Sequence, residues 1–202
     1  MEKWIGDRIS TFTDKNYTSI IIYPKRERWK EALLLAWVIG FTFVGLYMIF
    51  LLFFGLDTID NSGIKSDPQE VLRNQKIYLS VFIGFWLYFE YKVVYGLLWL
   101  LFGKELIKID GEKLTLKNSI FSLGKAKKYF NDNIKKIELI EQKPFSFGFD
   151  YENAFWRKGT DSLIFKYLTK DIAFGKKLNE KDAKLLMRFM VDRVKKYSKS
   201  KK

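Results

Sequence analysis

One uninterrupted apolar run restricts the fold of this chain more than any other feature of its sequence. Residues 33–56 read LLLAWVIGFTFVGLYMIFLLFFGL, 24 positions without a charged side chain. A helix needs about 20 such residues to cross a hydrocarbon core of roughly 30 Å, whereas a helix packed on a soluble core carries a polar stripe. No signal-peptide cleavage pattern accompanies the run. The run therefore predicts a retained membrane-spanning helix.

A second apolar segment, Ile77 to Phe102, contains two charged residues, Glu90 and Lys92. Its 26 positions would form a helix of about 39 Å, longer than the hydrocarbon core. If the membrane ends near Glu90, both charges lie among the headgroups. If they lie deeper, they are membrane-embedded polar residues and functional candidates, because ionisable groups in hydrocarbon are costly. We favour the headgroup position, and predict a two-helix hairpin over residues 31–103 with an extracytoplasmic loop at residues 57–76.

The basic residues that flank the hairpin predict its orientation. Residues 1–30 hold seven Lys and Arg, whereas the loop at residues 57–76 holds three beside four acidic residues. Basic residues resume directly after Gly103. Because short cytoplasmic flanks carry the excess of Lys and Arg, both termini are expected in the cytoplasm. The chain is thus predicted to be a multi-pass protein of the inner, cytoplasmic membrane.

Beyond the hairpin, residues 104–202 show the pattern of a mainly β, α+β domain. Apolar and polar residues alternate over residues 106–109 and 114–120, with Asp110-Gly111 as the hairpin turn between them. Residues 18–23, within the N-terminal cytoplasmic segment 1–30, also have strand character and are expected to complete the sheet. Further strands are predicted over residues 134–140, 162–168 and 171–174, and Phe145, Phe147 and Phe149 are predicted to face the core.

The chain is predicted to end in an amphipathic helix. Asn179 is a suitable N-cap, and Asp182 occupies the capping-box position three residues later. An apolar stripe follows at helical spacing, formed by Ala183, Leu186, Met187, Met190 and Val194. The Lys-rich tail from Lys195 onward is expected to be disordered.

The order of these segments resembles a known family. The stretches IIIYPKRERW, LLWLLFGKELIKIDGEKLTLKNSIFSLGKAKKY, DNIKKIEL and FGKKLNEKDAKLL are similar to those of bacterial two-helix membrane proteins with a pleckstrin-homology-like (PH-like) cytoplasmic domain, most of them uncharacterised. The resemblance implies a small barrel of strands capped by a C-terminal helix. It adds little about activity.

Composition excludes many enzyme classes. The chain has no cysteine and no histidine, which removes disulfides, zinc fingers, thiol nucleophiles and the usual proton shuttle at neutral pH. Phosphate-binding, dinucleotide and serine-nucleophile motifs are also missing from the sequence. We therefore predict no catalytic residues, no metal site and no cofactor, and expect that the protein is not an enzyme.

The basic charge lies mainly after the hairpin. The net charge is +13, and residues 104–202 hold 25 Lys and Arg against 13 Asp and Glu. A basic domain tethered to a membrane is attracted to anionic headgroups, so nucleic acid is an unlikely partner. The candidate headgroup ligands are five lysines, for which a solvated basic face is the simpler interpretation: Lys125, Lys127, Lys128, Lys135 and Lys136.

Two functions follow as expectations. The first is a non-enzymatic scaffold or adaptor, anchored in the lipid bilayer, whose PH-like domain binds a protein partner or an anionic lipid surface. The alternative is a membrane sensor-effector, for example in antiviral defence. Its barrel would bind an acidic or nucleotide ligand, and the hairpins would form a homo-oligomer. The basic loops, Glu90 and Lys92 motivate the alternative.

Overall fold

The computed structural model describes residues 2–56, 67–140 and 159–199. The chain divides into two compact units, Arg28–Leu97 and a second unit that combines Met1–Glu27 with Leu98–Lys202. The predicted aromatic residues Phe145, Phe147 and Phe149 lie outside the described residues.

The first unit contains two long helices. Helix α1 covers Arg28–Phe50 and continues into a π-helical turn at Leu51–Gly55, and helix α2 covers Pro68–Phe102. Residues 68–76, predicted as part of a loop, are therefore helical. The sequence holds the reason, because Asp67 caps the helix by accepting a hydrogen bond from the Gln69 N–H at 3.0 Å, and proline is favoured at the first helical position.

Both helices are long and apolar enough to cross a membrane. In the most apolar 18-residue window of each, only 11% and 6% of the residues are buried, at mean hydropathies of 2.3 and 1.3. Helices in the core of a soluble protein bury their apolar side chains. The exposed aromatic and aliphatic surface of α1 and α2 is typical of a lipid environment instead.

One contact between the two helices is made by Trp86 of α2. The Trp86 indole N–H donates to the Phe41 carbonyl oxygen at 3.3 Å, and the two rings stack with centroids 4.3 Å apart. Gly45 leaves room for this ring, because a Cβ there would lie 3.0 Å from Trp86 Nε1. Small residues commonly permit such close approach between membrane helices.

The second unit contains a six-stranded antiparallel sheet, formed by strands that precede the hairpin in sequence and strands that follow it. Three strands precede the hairpin: β1 (Glu2–Ile5), β2 (Ile9–Thr13) and β3 (Tyr17–Ile22). Three follow it: β4 (Gly103–Asp110), β5 (Lys113–Ile120) and β6 (Ala126–Phe130). The spatial order is β1-β2-β3-β4-β5-β6, so the predicted strand over residues 18–23 is confirmed as β3, paired with β4.

A second, three-stranded antiparallel sheet completes the β structure. Its strands β7 (Ile134–Leu139), β8 (Asp161–Tyr167) and β9 (Lys170–Lys176) lie in that order. The unit is thus α+β, as predicted. Within residues 2–56, 67–140 and 159–199 the strands form two separate sheets, and no closed barrel is found there.

The predicted C-terminal helix is present and is longer than expected. Helix α3 covers Glu180–Lys199, and the Asn179 side chain caps it by accepting a hydrogen bond from the Asp182 N–H at 2.6 Å. The expectation of disorder from Lys195 onward is wrong as far as Lys199. Tyr197 explains the extension, since its side chain is buried and its hydroxyl lies 2.8 Å from Thr18 Oγ1.

The core lies between the two sheets and α3. In β4 the residues alternate strictly between buried and more exposed positions, and in β5 they do so from Lys113 to Lys117, as expected for strands with one covered face. From α3 the core receives Ala183, Leu186 and Met190 of the predicted apolar stripe, while Met187 and Val194 pack at its margin. The fully buried members from the sheets are Ile9, Ile20, Ile22, Ile107, Ile109, Leu114, Leu163, Phe165 and Phe174.

Candidate functional site

A tight turn between β5 and β6 presents apolar side chains to the surface. Ile120 and Leu123 exchange two backbone hydrogen bonds of 2.9 and 3.0 Å. The two residues between them, Phe121 and Ser122, have φ of +49° and +67°. Left-handed backbone at both central positions is the type I′ hairpin geometry, which usually selects Asn and Gly. Here the turn instead exposes 56% of Phe121 and 76% of Leu123.

This turn, residues 120–123, contacts the end of α2. The Phe121 ring lies with its centroid 4.3 Å from that of Phe102, the last residue of the helix. The next residue, Gly103, begins β4 without a break, and a Cβ at that position would collide with the Trp99 carbonyl oxygen and indole ring. The glycine thus permits an abrupt change from helix to strand, which brings the helix terminus beside the turn.

Lysines surround the turn. The Lys117 ammonium donates to the Ser122 carbonyl oxygen at 2.8 Å. Lys125, Lys127 and Lys128, which we call the basic edge, are exposed on or directly before β6, an outer strand of the six-stranded sheet. Three of the five predicted lysines therefore share one sheet edge.

The other two predicted lysines lie elsewhere in the fold. Lys135 and Lys136 are exposed on β7, an outer strand of the second sheet. Lys136 forms an ion pair with Glu138, and this hydrogen bond raises the pKa of the Lys136 ammonium. The five lysines are thus distributed over two sheets, with Lys136 already paired.

The candidate in the helical unit is Glu90. Its Oε1 accepts a hydrogen bond from Thr42 Oγ1 at 2.9 Å, while its buried Oε2 has no hydrogen-bond partner among the described residues. Thr42 lies nine residues inside the apolar run that starts at Leu33, about 14 Å along the helix. This pairing favours the deeper of the two positions considered for Glu90. Lys92 points elsewhere, with its Nζ 5.2 Å from the Tyr88 ring centroid.

A buried carboxyl group that sequence analysis did not single out joins the two sheets. Glu105 of β4 accepts hydrogen bonds from the Gly175 and Lys176 N–H groups at 3.0 and 3.1 Å. Burial raises the pKa of this carboxyl from 4.5 to about 7, because desolvation disfavours the charged form. The sequence signal for its burial was the period-two spacing of β4. Glu105 shares the buried face of this strand with Gly103, Ile107 and Ile109.

Arg8 also binds the end of β9. Its guanidinium donates to the Tyr23 carbonyl oxygen at 2.7 and 2.9 Å and to the carbonyl oxygens of Lys176 and Lys177 at 3.2 and 2.6 Å. Burial lowers the pKa of Arg8, and the Asp182 carboxylate opposes that shift. Glu105 and Arg8 therefore bind the end of β9 to the strands that join the hairpin, which is a structural arrangement with no reacting group in it.

No protein-family model matches this chain, and no curated protein is similar to it. Within residues 2–56, 67–140 and 159–199, no three acidic side chains gather in the manner of a metal site. The turn, the basic edge and the connection between hairpin and sheet are the features of the described residues that bear on function.

Proposed function

We propose that this protein is a non-enzymatic, membrane-anchored adaptor. Its helical hairpin crosses the inner membrane, and its α+β unit, a PH-like domain, lies on the cytoplasmic side. There the basic edge engages anionic lipid headgroups, and the same lysines are available to an acidic protein partner.

The observation that carries this proposal is the insertion of the hairpin between two neighbouring antiparallel strands. Strand β3 ends at Ile22, β4 begins at Gly103, and Ile22 pairs with Glu105. Two crossings return a chain to the side on which it started, so this pairing is compatible with a membrane hairpin and with both termini on one side. Cleavage of α1 as a signal peptide would remove β1–β3 from the sheet, which argues for its retention.

Charge supports the lipid surface as the binding target. The 25 Lys and Arg against 13 Asp and Glu in residues 104–202 face the cytoplasm in this orientation. Each basic residue near an anionic leaflet contributes roughly 1 kcal/mol, an attraction that falls off within a Debye length. A tether by α2 keeps the domain at the membrane surface.

The order of elements supports a PH-like domain. Two antiparallel sheets enclose a common core, and one C-terminal helix, α3, packs on that core through Leu186 and Met190. The sequence resemblance implies a small barrel of strands capped by a C-terminal helix, and the capping helix is the part of that arrangement that supports the proposal. Domains of this type commonly organise assemblies, an argument by analogy of fold alone.

Domain mobility in nanodiscs tests the proposal with the full chain. Because the chain lacks cysteine, a dye at Thr169→Cys, an exposed site in the β8–β9 turn, reports the motion of the domain alone. We expect slower motion on phosphatidylglycerol-containing discs than on phosphatidylcholine discs, with the difference lost in about 1 M salt, where the Debye length is about 3 Å.

Matched charge variants identify the surface responsible. Substitution of Lys125, Lys127 and Lys128 by Gln should abolish the effect of lipid charge, whereas the same substitutions at the exposed Lys166, Lys170 and Lys181 should retain it. Equal domain mobility on both lipids would contradict the interaction with lipid headgroups, and the proposed target would then be a protein partner. Failure of the chain to enter nanodiscs would contradict the anchor itself.

The sensor-effector remains a second proposal, because Glu90 favours it. Glu90 is an ionisable side chain beside the middle of an apolar helix, and ionisable groups within membrane segments usually face other helices of a bundle. An acidic or nucleotide ligand bound by the domain would then cluster the hairpins. Light scattering in detergent across a nucleotide panel tests this, and a constant molecular mass would contradict it.

A further inference from the structure

The 120–123 turn combines features that a water-exposed hairpin turn does not require. Leu123 exposes 76% of its surface and Phe121 exposes 56%, and the backbone at Phe121 adopts a left-handed conformation that L-residues with bulky side chains rarely occupy. A turn that faces only water is better served by Asn and Gly. An apolar environment outside the domain would explain this apolar tip, formed by Phe121 and Leu123.

The turn is positioned next to the point where α2 ends. Phe121 contacts Phe102, the last helical residue, which follows the apolar sequence LLWLL at residues 97–101. If α2 spans the bilayer, its last residue lies at the membrane interface, and the ring in contact with it lies there as well. Phe102 is itself 45% exposed, so the exposed apolar tip continues onto the last residue of α2.

The charge around the tip matches an anionic interface. Residues 113–130 contain five lysines and no acidic residue, and Lys117 is held against the turn by its bond to the Ser122 carbonyl oxygen. Apolar side chains flanked only by lysines are the composition of segments that lie in the headgroup region, with the apolar part in the acyl boundary and the ammonium groups at the phosphates.

We infer that the 120–123 turn inserts Phe121 and Leu123 into the bilayer that α2 leaves, with Lys117 and Lys125 on its anionic headgroups. The turn is then a second membrane contact that fixes the orientation of the domain on the lipid surface. This inference rests on the proposed membrane anchor, and it extends the electrostatic interaction of the basic edge by a contact within the acyl boundary.

Nitroxide labels on the full chain measure the depth of the turn directly. The test label is Leu123→Cys, and the matched control is Phe130→Cys, whose side chain is 58% exposed at the other end of β6. Phe130 pairs with Lys113, whereas the turn begins at Ile120. The seven residue steps of β5 from Lys113 to Ile120 span about 23 Å. A third label, at Leu87→Cys on α2, is the reference for the hydrocarbon core.

In liposomes with phosphatidylglycerol, the Leu123 label should collide several-fold more with oxygen relative to a water-soluble nickel chelate than the Phe130 label does. The Leu87 label should give the highest ratio. Substitution of Lys117 and Lys125 by Gln, or liposomes of phosphatidylcholine alone, should lower the ratio at Leu123 and leave that at Leu87 unchanged.

Three results would overturn the inference, and they are distinguishable. A Leu123 label as accessible to nickel as the Phe130 label places the turn in water. A label shielded from both reagents places it against protein, as in a dimer or a partner complex. If the Leu87 label is also water-accessible, the hairpin is not in the membrane and the proposed function fails with the inference, whereas an aqueous turn above an embedded α2 contradicts the inference alone.

Discussion

Replacement of Glu105 by Gln should change how the stability of the α+β unit depends on pH. The carboxyl accepts two backbone N–H bonds in the core and has its pKa raised from 4.5 to about 7 by burial. A Gln side chain keeps an oxygen that accepts the same bonds but does not titrate. The variant therefore separates the cost of ionisation from the loss of the hydrogen bonds.

The sign and size follow from linkage. A raised folded-state pKa means that the folded protein binds the proton more tightly, so the contribution is fully present below pH 4.5 and is lost as the pH rises through 7. With these two values, the free energy of unfolding falls by about 2.5 kcal/mol between about pH 5 and pH 8. Glu105→Gln should lack this decline, so its stability relative to the natural chain should rise by that amount.

Urea unfolding in detergent, followed by near-ultraviolet circular dichroism at both pH values, measures the difference. The control is Glu138→Gln, since this exposed carboxylate pairs with Lys136, which lowers its pKa. The stability of Glu138→Gln relative to the natural chain should not rise toward high pH. Parallel stability curves for the natural chain and Glu105→Gln would refute the reasoning, because they would mean that the carboxyl stays charged in the core at both pH values.

Three other predictions concern the domain, the hairpin and the connection between them. Tyr197→Phe should lower the free energy of unfolding by roughly 1–2 kcal/mol, measured in urea, because the buried Thr18 hydroxyl loses its partner. Thr42→Val should weaken the packing of α1 against α2 by roughly 0.6 kcal/mol, measured by unfolding in denaturing detergent. The reason is that the Glu90 carboxyl loses its only hydrogen bond among the described residues. Replacement of the whole hairpin by a short Gly/Ser linker between β3 and β4 should yield a soluble domain with a cooperative melt, and an aggregated product would contradict the β3–β4 pairing.

Local patterns predicted those elements whose partners are close in sequence. The β4–β5 hairpin was predictable because Asp110 closes its turn, accepting hydrogen bonds at 2.9 Å from the Glu112 and Lys113 N–H groups, a recurrent Asx arrangement. Asn179 likewise predicted the start of α3. The Asp67-Pro68 pair carried an equally clear helix-start signal, but the charged residues that follow it favoured a loop on hydropathy alone.

The pairing of distant strands and the burial of single residues could not be predicted from local patterns in the same way. The N-terminal segment was expected to supply one strand, yet it supplies three, because β1 and β2 are short and become strands only when β3 is held by β4. The sequence clustered five lysines, but the chain turns from one sheet into the other between Lys128 and Lys135, which separates them. Tyr197 lies within a lysine-rich tail, and only its buried contact with Thr18 explains why the helix continues.

With the hairpin in the membrane, as proposed, its insertion between β3 and β4 couples membrane integration to folding of the domain. Ile22 and Glu105 are direct partners, so the sheet closes only after the intervening chain has crossed the membrane and returned. Pairings at such large sequence separation form slowly, because loop-closure entropy precedes any gain from contacts. Until then β3 has an unpaired edge, which is an aggregation hazard. Insertion of α2 removes that hazard by delivering Gly103 next to the end of β3, and the bonds from the Gly175 and Lys176 N–H groups to Glu105 then hold β9 against β4. The anchor is therefore part of the folding pathway of the domain as well as its tether.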